Sequence, residues 1–516
     1  MGRRFWAGAL ALGLLLSLTA CGGEETPPPS PSPTAAPAAS ALPSPSAAPV
    51  EFTLACYPAA GLHPILGTNR TNLSLAGLMY DGLYELDGTF TPRPALAAGG
   101  SVSEDGLTWT FSLRQGVTFS DGSPLTPADV VRSLELARGS ALYAGRLAQV
   151  TAVRAGEGSV IVTLSSPNGA LPALLDVPVI REQGEGTPLG TGYYVLEGSD
   201  GARLLRRREG NWRGEYPARE TIPLHEVEEA SDLIYAFDTG ELSLIGADFT
   251  GLSALGFTGR SETLDYPTAD MLFVGFNTVS GPCREAEVRR ALSRGMDRET
   301  LCSAILSRHA EPSALPVHPG AELYDEGAAS ALEYAPQELA ALLTGAGWSK
   351  TEGVYRKGRT SLELTLVVNQ DNSYKTGLAD ELARSLTSAG AVVTVKRLPW
   401  DEYLSALQKG EFDLYLGEVK LTADFDPSPL LSGGALNYGG YSDPGTAALL
   451  SAFRSAQGEA RKSASQALWG RLAEQVPFTA LCFKNWSVLT QWGQVSGLTP
   501  TQQNLFYQFG NWNFAD

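Results

Sequence analysis

Cysteine and histidine are scarce in this chain of 516 residues, which has five cysteines and four histidines. The cysteines are far apart, so no pair lies at the short spacing of a zinc site. The histidines are equally scattered along the chain and form no cluster with a cysteine: His63, His225, His309 and His318. We therefore predict no metal site and no cofactor.

Motifs of nucleophilic and phosphate-handling enzymes are also missing. The sequence contains no Gly-x-Ser-x-Gly, His-Glu-x-x-His or glycine-rich phosphate loop. Lys375-Thr376-Gly377 resembles a triplet of penicillin-binding proteins and serine β-lactamases, but none of the eight lysines has a serine three residues before it. Thr376 and Gly377 more simply open a helix. We predict that the chain is not an enzyme.

Positive charge and long hydrophobic runs are in short supply as well. Lysine and arginine total 38 against 56 acidic residues, a formal charge of −18. Such a chain does not bind nucleic acid non-specifically. After the first 20 residues no apolar run reaches the length of a membrane span, so the body from Glu51 onward is expected to be soluble.

The N-terminus has a targeting pattern. Arg3 and Arg4 precede a short apolar stretch that ends in Leu18-Thr19-Ala20-Cys21. This resembles the lipobox of bacterial lipoproteins, which implies a signal peptide over 1–20 and acylation of Cys21; an ordinary secretory signal is the alternative. Residues 21–50 are rich in Pro, Ala and Ser, a composition typical of an extended linker. The predicted location is the cell envelope, at the outer face of the cytoplasmic membrane.

The body alternates between strand and helix patterns. Alternating apolar residues predict strands at 107–113, 362–368, 393–395 and 412–416. Apolar residues at helical spacing predict helices that begin at Thr126 and cover 285–296, 339–346 and 378–389. Strands separated by such helices favour right-handed crossovers and largely parallel sheets. The predicted class is α/β, in more than one domain.

Four cysteines lie in the body. Cys56 and Cys482 occur in strand-like runs and are expected to be buried free thiols. Cys283 and Cys302 flank a predicted helix, and either form a disulfide in an oxidising compartment or stay free.

Several segments together resemble the oligopeptide- and dipeptide-type (family 5) extracellular solute-binding proteins of ABC importers. They follow one another in the family's order from about residue 52 to the C-terminus: LMYDGLYELD (78–87), PALA (94–97), EDGLTWTFSLR (104–114), GVTFSDG (116–122), LTPADVV (125–131), GTGYY (190–194), VRRALSRGMDR (288–298), LLTGAGW (342–348) and GEFD (410–413).

The resemblance implies a two-lobed periplasmic-binding-protein-like fold of type II, in its three-domain family 5 variant. Hinged lobes would enclose the ligand in a cleft between them. We expect domain I of lobe 1 to combine 51–90, 188–275 and 488–516, with domain II inserted at 91–187. Lobe 2 is expected at 276–487.

The resemblance also suggests ligand-binding residues. Asp424, in TADFDP (422–427), matches an aspartate that pairs with the α-ammonium of a peptide in relatives, although it is alternatively a turn acid before Pro427. Lys420 departs from the family pattern, because a tryptophan is often found in this stretch, and it would weaken the pairing by neutralising Asp424.

Six further candidates follow from the same resemblance or from their position. Trp400 matches a pocket aromatic, with a core role equally open. Asn369 and Tyr374 come after a strand that should end at the cleft. Thr71 and Asn72 match a loop that contacts ligand backbone, and Met271 precedes an expected hinge strand, where packing is the simpler role.

The expected function is capture of a small solute, most readily a short peptide, by lobe closure and delivery to ABC permease subunits with their ATPases. Closure would involve no covalent chemistry, and the protein is expected to act as a monomer. Two alternatives remain open: the same fold serves as a ligand sensor for a signalling partner, or it carries a non-peptide solute such as a nickel chelate, a sugar or an opine.

Overall fold

The computed structural model describes residues 51–184, 186–214, 216–252 and 256–515. The predicted signal peptide, Cys21 and the linker at 21–50 lie outside these ranges. Within them, no helix is both long and apolar enough to cross a bilayer.

Twenty-two strands follow one another along the described part of the chain. In order they are β1 (Leu54–Cys56), β2 (Tyr84–Leu86), β3 (Pro92–Pro94), β4 (Ala97–Val102), β5 (Thr108–Leu113), β6 (Val150–Ala155), β7 (Ser159–Leu164), β8 (Tyr194–Glu197), β9 (Leu204–Arg207), β10 (Thr221–Glu226), β11 (Leu244–Ala247), β12 (Ser261–Phe276), β13 (Ala310–Pro312), β14 (Ser349–Thr351), β15 (Val354–Lys357), β16 (Thr360–Ser361), β17 (Glu363–Asn369), β18 (Val392–Leu398), β19 (Leu414–Lys420), β20 (Phe478–Gln491), β21 (Val495–Ser496) and β22 (Asn513–Phe514).

The α-helices of the same ranges connect or cover these strands. They are α1 (Arg70–Met79), α2 (Pro127–Arg138), α3 (Ala230–Asp238), α4 (Ala286–Arg294), α5 (Arg298–Thr300), α6 (Glu326–Ser330), α7 (Pro336–Gly345), α8 (Ser373–Ala389), α9 (Trp400–Lys409), α10 (Pro444–Ser455) and α11 (Gly458–Gln475).

Local sequence signals account for several helix ends. Helix α2 begins with a reciprocal cap, because the Thr126 side chain and the Asp129 carboxylate satisfy each other's backbone N–H groups. Helix α8 begins earlier than the Thr376-Gly377 pair predicts, since Asn372 caps it by accepting a hydrogen bond from the Lys375 N–H at 3.0 Å. It ends at Gly390, whose φ of 108° is left-handed.

The strand directions correct one prediction. Of the strand pairs in the described ranges, only β1–β10, β17–β18 and β17–β19 are parallel. The largest sheet has the order β11-β20-β12-β19-β17-β18, with β13 added beside β20. Its two longest strands, β12 and β20, pair in antiparallel fashion although more than 200 residues separate them. The prediction of largely parallel sheets is therefore wrong, because helix–strand alternation shows which segments form strands but not how distant strands pair.

The hydrophobic cores divide the molecule into two lobes. One core joins side chains from 52–266 and 488–512. Two others are built from 269–483, and Phe90 is their one contributor from another part of the described chain. We call these parts the first and the second lobe; the exact domain boundaries stay a prediction. Strands β12 and β20 run from one lobe to the other, and their register breaks between Pro267 and Met271, where they cross.

All four body cysteines are buried free thiols. This confirms the prediction for Cys56 and Cys482. A Cys283–Cys302 disulfide does not form, because the side chain of Cys302 is directed to Cys482 on β20. The pKa of the Cys482 thiol is raised, mainly by its hydrogen bond with Cys302 and secondly by its burial.

Candidate functional site

A cavity of about 460 Å³ lies where β12 and β20 cross between the lobes. The start of α1 contributes Arg70 and Thr71, and the crossing strands contribute Tyr266 and Trp486. Lys420, the last residue of β19, reaches the cavity from the sheet of the second lobe. The cavity therefore combines residues from widely separated parts of the sequence.

Trp486 contacts three other residues that line the cavity. The guanidinium carbon of Arg70 lies 3.3 Å from the centroid of its ring, and the Lys420 ammonium nitrogen lies 5.0 Å from it. Tyr266 meets the same ring nearly edge-on at a centroid distance of 6.4 Å. Such contacts hold two cations against an aromatic surface.

The cavity carboxylates have partners within the protein. Arg213 binds Asp81 at 2.8 Å and Glu85 at 2.9 Å, and Arg146 pairs with Asp176. Burial alone would raise the pKa of Asp81, but the Arg213 charge and its hydrogen bonds hold this pKa below its usual value. Each of these three acids is therefore paired with an arginine of the same cavity.

Arg70 and Lys420 differ from the other cavity cations. Neither forms an ion pair with a carboxylate in the described part of the chain. Asp270 is the strand neighbour of Lys420, but the Asp270 carboxylate instead accepts a hydrogen bond from Gln502 at 3.1 Å. Burial lowers the pKa of Lys420, as do the charges of Arg146 and Arg70, while Asp270 opposes the change.

Of the eight ligand-binding residues predicted from the sequence, the structure brings Thr71 and Lys420 to the cavity. Asn72 is buried beside it, where its side chain accepts a hydrogen bond from the Tyr57 N–H and donates to the carbonyls of Tyr57 and Gly61. This amide orders the chain before α1.

Four of the remaining candidates lie elsewhere in the second lobe. Met271 is fully buried in β12, in a core of that lobe. Asn369 is buried at the end of β17 and donates a hydrogen bond to Asp371, while Tyr374 on α8 packs against a core of the same lobe. Trp400 is 54% exposed at the start of α9, stacked on Tyr403. None of the four lines the described cavity.

Asp424 lies outside the cavity as well, in a direct contact between the lobes. Its carboxylate accepts hydrogen bonds from the Thr422 hydroxyl and, at 3.2 Å, from the Asn168 amide of the first lobe. Next to it, the Gly169 N–H donates to the Arg454 carbonyl at 2.7 Å. We call this region the lobe contact.

An aromatic cluster completes the lobe contact. Phe90, at the turn between β2 and β3, reaches out of the first lobe and meets Phe425 edge-on at a centroid distance of 5.0 Å. It also packs against His318 at 5.3 Å. Phe90 and Phe425 both have left-handed φ values, 64° and 51°, which large side chains rarely adopt. The surrounding packing must therefore hold them in place.

Most of the cavity residues were not predicted from the sequence, among them Arg70, Trp486 and Tyr266. Arg70 directly precedes Thr71, which was predicted, so the same segment of sequence could have indicated Arg70 as well. Trp486 lies on β20 two residues after Lys484, and nothing in the local sequence marks it as cavity-lining. No set of His, Cys, Asp and Glu side chains in the described ranges is placed to hold a metal ion.

The chain belongs to the bacterial extracellular solute-binding proteins of family 5. The family model, described as the middle region of these proteins, matches residues 91–441. Members of the family are extracellular or periplasmic solute-binding proteins of ABC importers and not enzymes, so the family resemblance and the prediction of no enzymatic activity are confirmed.

Two curated relatives illustrate the similarity. Protein XP55 of Streptomyces lividans is 29% identical over 368 residues, which cover 66% of this chain and 65% of that protein. The chain thus spans just under two thirds of this relative's length. The nickel-binding periplasmic protein of Escherichia coli (strain K12) is 26% identical over 420 residues, covering 75% of this chain and 78% of the relative.

Solved structures show the same two-lobed fold. The unliganded open form of MppA, a periplasmic murein tripeptide binding protein, gives a TM-score of 0.75 at 17% identity, over 90% of this chain and 97% of that one. An ABC transporter substrate-binding protein from Sinorhizobium meliloti gives 0.73 at 19% identity, over 91% and 100%. These likenesses confirm the predicted fold class.

Proposed function

We propose that this chain is a monomeric, lipid-anchored solute receptor that captures a short peptide and delivers it to an ABC permease. The cavity is the observation that supports this proposal most directly. Its volume of about 460 Å³ falls within the range of roughly 300–1,000 Å³ of small-molecule sites. Its wall joins aromatic surface to hydrogen-bonding groups, as a peptide requires.

Lobe closure follows from the position of the cavity. Thr71 belongs to the first lobe and Lys420 to the sheet of the second, so a solute that contacts both stabilises the arrangement in which they are close. The crossing of β12 and β20 supplies the natural hinge, because the register of the two strands is already broken there. The permease then recognises the closed protein, and no covalent step is needed.

Asp424 is proposed as the partner of the peptide's α-ammonium group. A carboxylate that is only 4% exposed binds a cation more strongly than an exposed one, because less water competes. To reach it, the ammonium would replace the hydrogen bond that Asn168 now donates. Acylation at Cys21, through the linker at 21–50, is proposed to hold the protein at the membrane.

Native mass spectrometry of the purified full chain tests the proposal. The protein is mixed with a panel of peptides of two to five residues and, in parallel, with a nickel–histidine complex and a set of sugars. We expect one or more peptides to remain bound and to be released unchanged on denaturation. A protein that retains no peptide, or that converts one into a product, contradicts the proposal.

The same spectra address the alternatives. Retention of the nickel complex or of a sugar in place of a peptide would assign a non-peptide solute. A sensor binds its ligand in the same way, so that alternative is decided by the neighbouring genes: permease and ATPase genes accompany an importer, and a sensor kinase gene accompanies a sensor.

A further inference from the structure

We propose that Lys484 is the pivot of lobe movement, because its ammonium group binds one carboxylate from each lobe at the crossing of β12 and β20. Its two partners are Asp248 of the first lobe and Glu418 of the second. The pivot rests on the proposed function, since it names the group around which the lobes would close on a solute. Lys484 itself is assigned no contact with the solute.

Lys484 lies on β20 opposite the break in the strand register. The last paired residue of β12 before the break is Pro267 and the first after it is Met271, so Lys484 faces the segment between them. The Lys484 carbonyl accepts a hydrogen bond at 2.6 Å from the hydroxyl of Thr268, which is fully buried in that segment. The backbone of Lys484 is therefore fixed to β12 at the point where the chain passes from one lobe to the other.

The side chain of Lys484 joins the two lobes. Its ammonium nitrogen lies 2.9 Å from a carboxylate oxygen of Asp248 and 3.1 Å from one of Glu418. Asp248 directly follows β11, whose Leu244 belongs to the first-lobe core, and Glu418 lies on β19 in the sheet of the second lobe. Burial alone would lower the pKa of Lys484, but the charges of Glu418 and Asp248 raise it above its usual value.

Two further contacts extend this connection to helix α8 of the second lobe. The other carboxylate oxygen of Glu418 lies 2.7 Å from the ammonium nitrogen of Lys375, on α8. Asn372, the cap of α8, donates a hydrogen bond from its side-chain amide to the Thr250 carbonyl of the first lobe at 3.2 Å. Helix α8 is therefore held to the segment after β11 both directly and through a chain of alternating charges. We call the members of this chain the hinge cluster: Asp248, Lys484, Glu418 and Lys375.

The hinge cluster lies close to the cavity but outside its wall. None of its four residues lines the cavity. Asp270 lies in the break of β12, where its charge acts on Lys484, but its carboxylate accepts a hydrogen bond from Gln502 and forms no ion pair in the described ranges. The two carboxylates of the hinge cluster are already bound by lysines, so the cluster connects the lobes and leaves no charge open for a solute.

A buried ammonium shared by the lobes determines which lobe movements are favourable. The Lys484 side chain is only 3% exposed, so water cannot readily replace either of its partners. A movement that pulled Asp248 away would leave buried charge without a partner, which is strongly unfavourable. A rotation around Lys484 keeps both ion pairs, and the broken register of β12 and β20 gives the backbone the freedom for it. We therefore expect the lobes to open by rotation around this residue.

Small-angle scattering of the full chain without added solute tests the pivot. Asp248→Asn removes the first-lobe charge at nearly constant size, and Glu418→Gln does the same for the second lobe. We expect each variant to have a larger radius of gyration than the unaltered chain. Glu226→Gln is the matched control, because the Glu226 carboxylate pairs with Arg203 at 2.6 Å within the first lobe, and its scattering should not change. An unchanged radius of gyration in a folded Asp248→Asn or Glu418→Gln protein overturns the proposal.

Hydrogen exchange of the unaltered chain gives a test that does not depend on whether the variants fold. A pivot stays in place while the lobes move, so the amides of 482–486 should exchange as slowly as those of β17 in the second-lobe core, within about tenfold. Much faster exchange around Lys484 would show that the crossing itself opens, and the pivot would be wrong.

Scattering and exchange need no solute, so the pivot and the proposed function can fail separately. If no peptide is retained in mass spectrometry but Asp248→Asn expands the protein, the peptide function is wrong and the pivot stands. If peptides are retained and the radius of gyration of Asp248→Asn equals that of the unaltered chain, the function stands and the pivot is wrong.

Discussion

Lys420 and Asp424 are close neighbours in the sequence, yet their side chains have opposite situations. Lys420 ends β19 at the cavity, where it forms no direct ion pair in the described chain and has the charge of the neighbouring Asp270 only partly opposing the effect of burial. Asp424 lies in the lobe contact, where Thr422 and Asn168 already hold its carboxylate. The comparison teaches that a charged residue is informative about a ligand when the protein itself leaves it without a partner.

The two regions also differ in what they do for lobe closure. In the cavity the lobes meet around open space and unpaired donors, so closure there gains energy only with a solute. In the lobe contact the lobes meet through packed rings and direct hydrogen bonds. One region makes closure depend on the ligand, and the other stabilises closure without it.

Removing the central ring of the lobe contact should have the largest effect. Phe90→Ala deletes a 6% exposed ring, and such changes cost about 3–5 kcal/mol. Because Phe90 joins the lobes, we expect calorimetry to show two separate unfolding transitions. Phe111→Ala is the control, since that ring is fully buried inside the first-lobe core and its loss should lower stability without separating the lobes. A single transition in both variants would show that Phe90 does not couple the lobes.

The lobe contact could not be predicted from the sequence. Of the cavity residues, only Thr71 and Lys420 were predicted. The start of α2 and the end of α8 were predicted because their signals, Thr126 and Gly390, are local, whereas the Asn372 cap that starts α8 was missed. The antiparallel pairing of β12 with β20 is a long-range choice that no local pattern encodes. Trp486 lines the cavity only because this pairing brings it to Arg70, so no sequence window contains the site.

Acid should weaken the lobe contact next most strongly. The buried His318 ring packs against Phe90, and its Nε2 has no hydrogen-bond partner in the described chain. Burial lowers the pKa of His318 from 6.5 to about 4. Between these values the unfolded chain binds a proton that the folded chain does not, so the free energy of unfolding falls as pH decreases through this window. At about 1.4 kcal/mol for each pKa unit, the loss reaches up to about 3 kcal/mol.

Unfolding midpoints measured from about pH 7 to about pH 4 test this expectation. His318→Gln removes the titrating ring and should flatten the decline, whereas His225→Gln, which changes a partly exposed histidine outside the contact, should leave it as in the unaltered chain. An equal decline in all three proteins would place the acid sensitivity elsewhere.

Asp424→Asn gives the smallest expected effect and the sharpest comparison with Lys420. The substitution keeps the size of the side chain and removes its charge, so an α-ammonium loses a charge-assisted partner worth roughly 1.5–3 kcal/mol. Peptides with a free amine should then bind at least tenfold more weakly in calorimetric titrations, while N-acetylated peptides should be nearly unaffected. Equal losses for both would mean that Asp424 acts through Asn168 and lobe closure, not through the ligand.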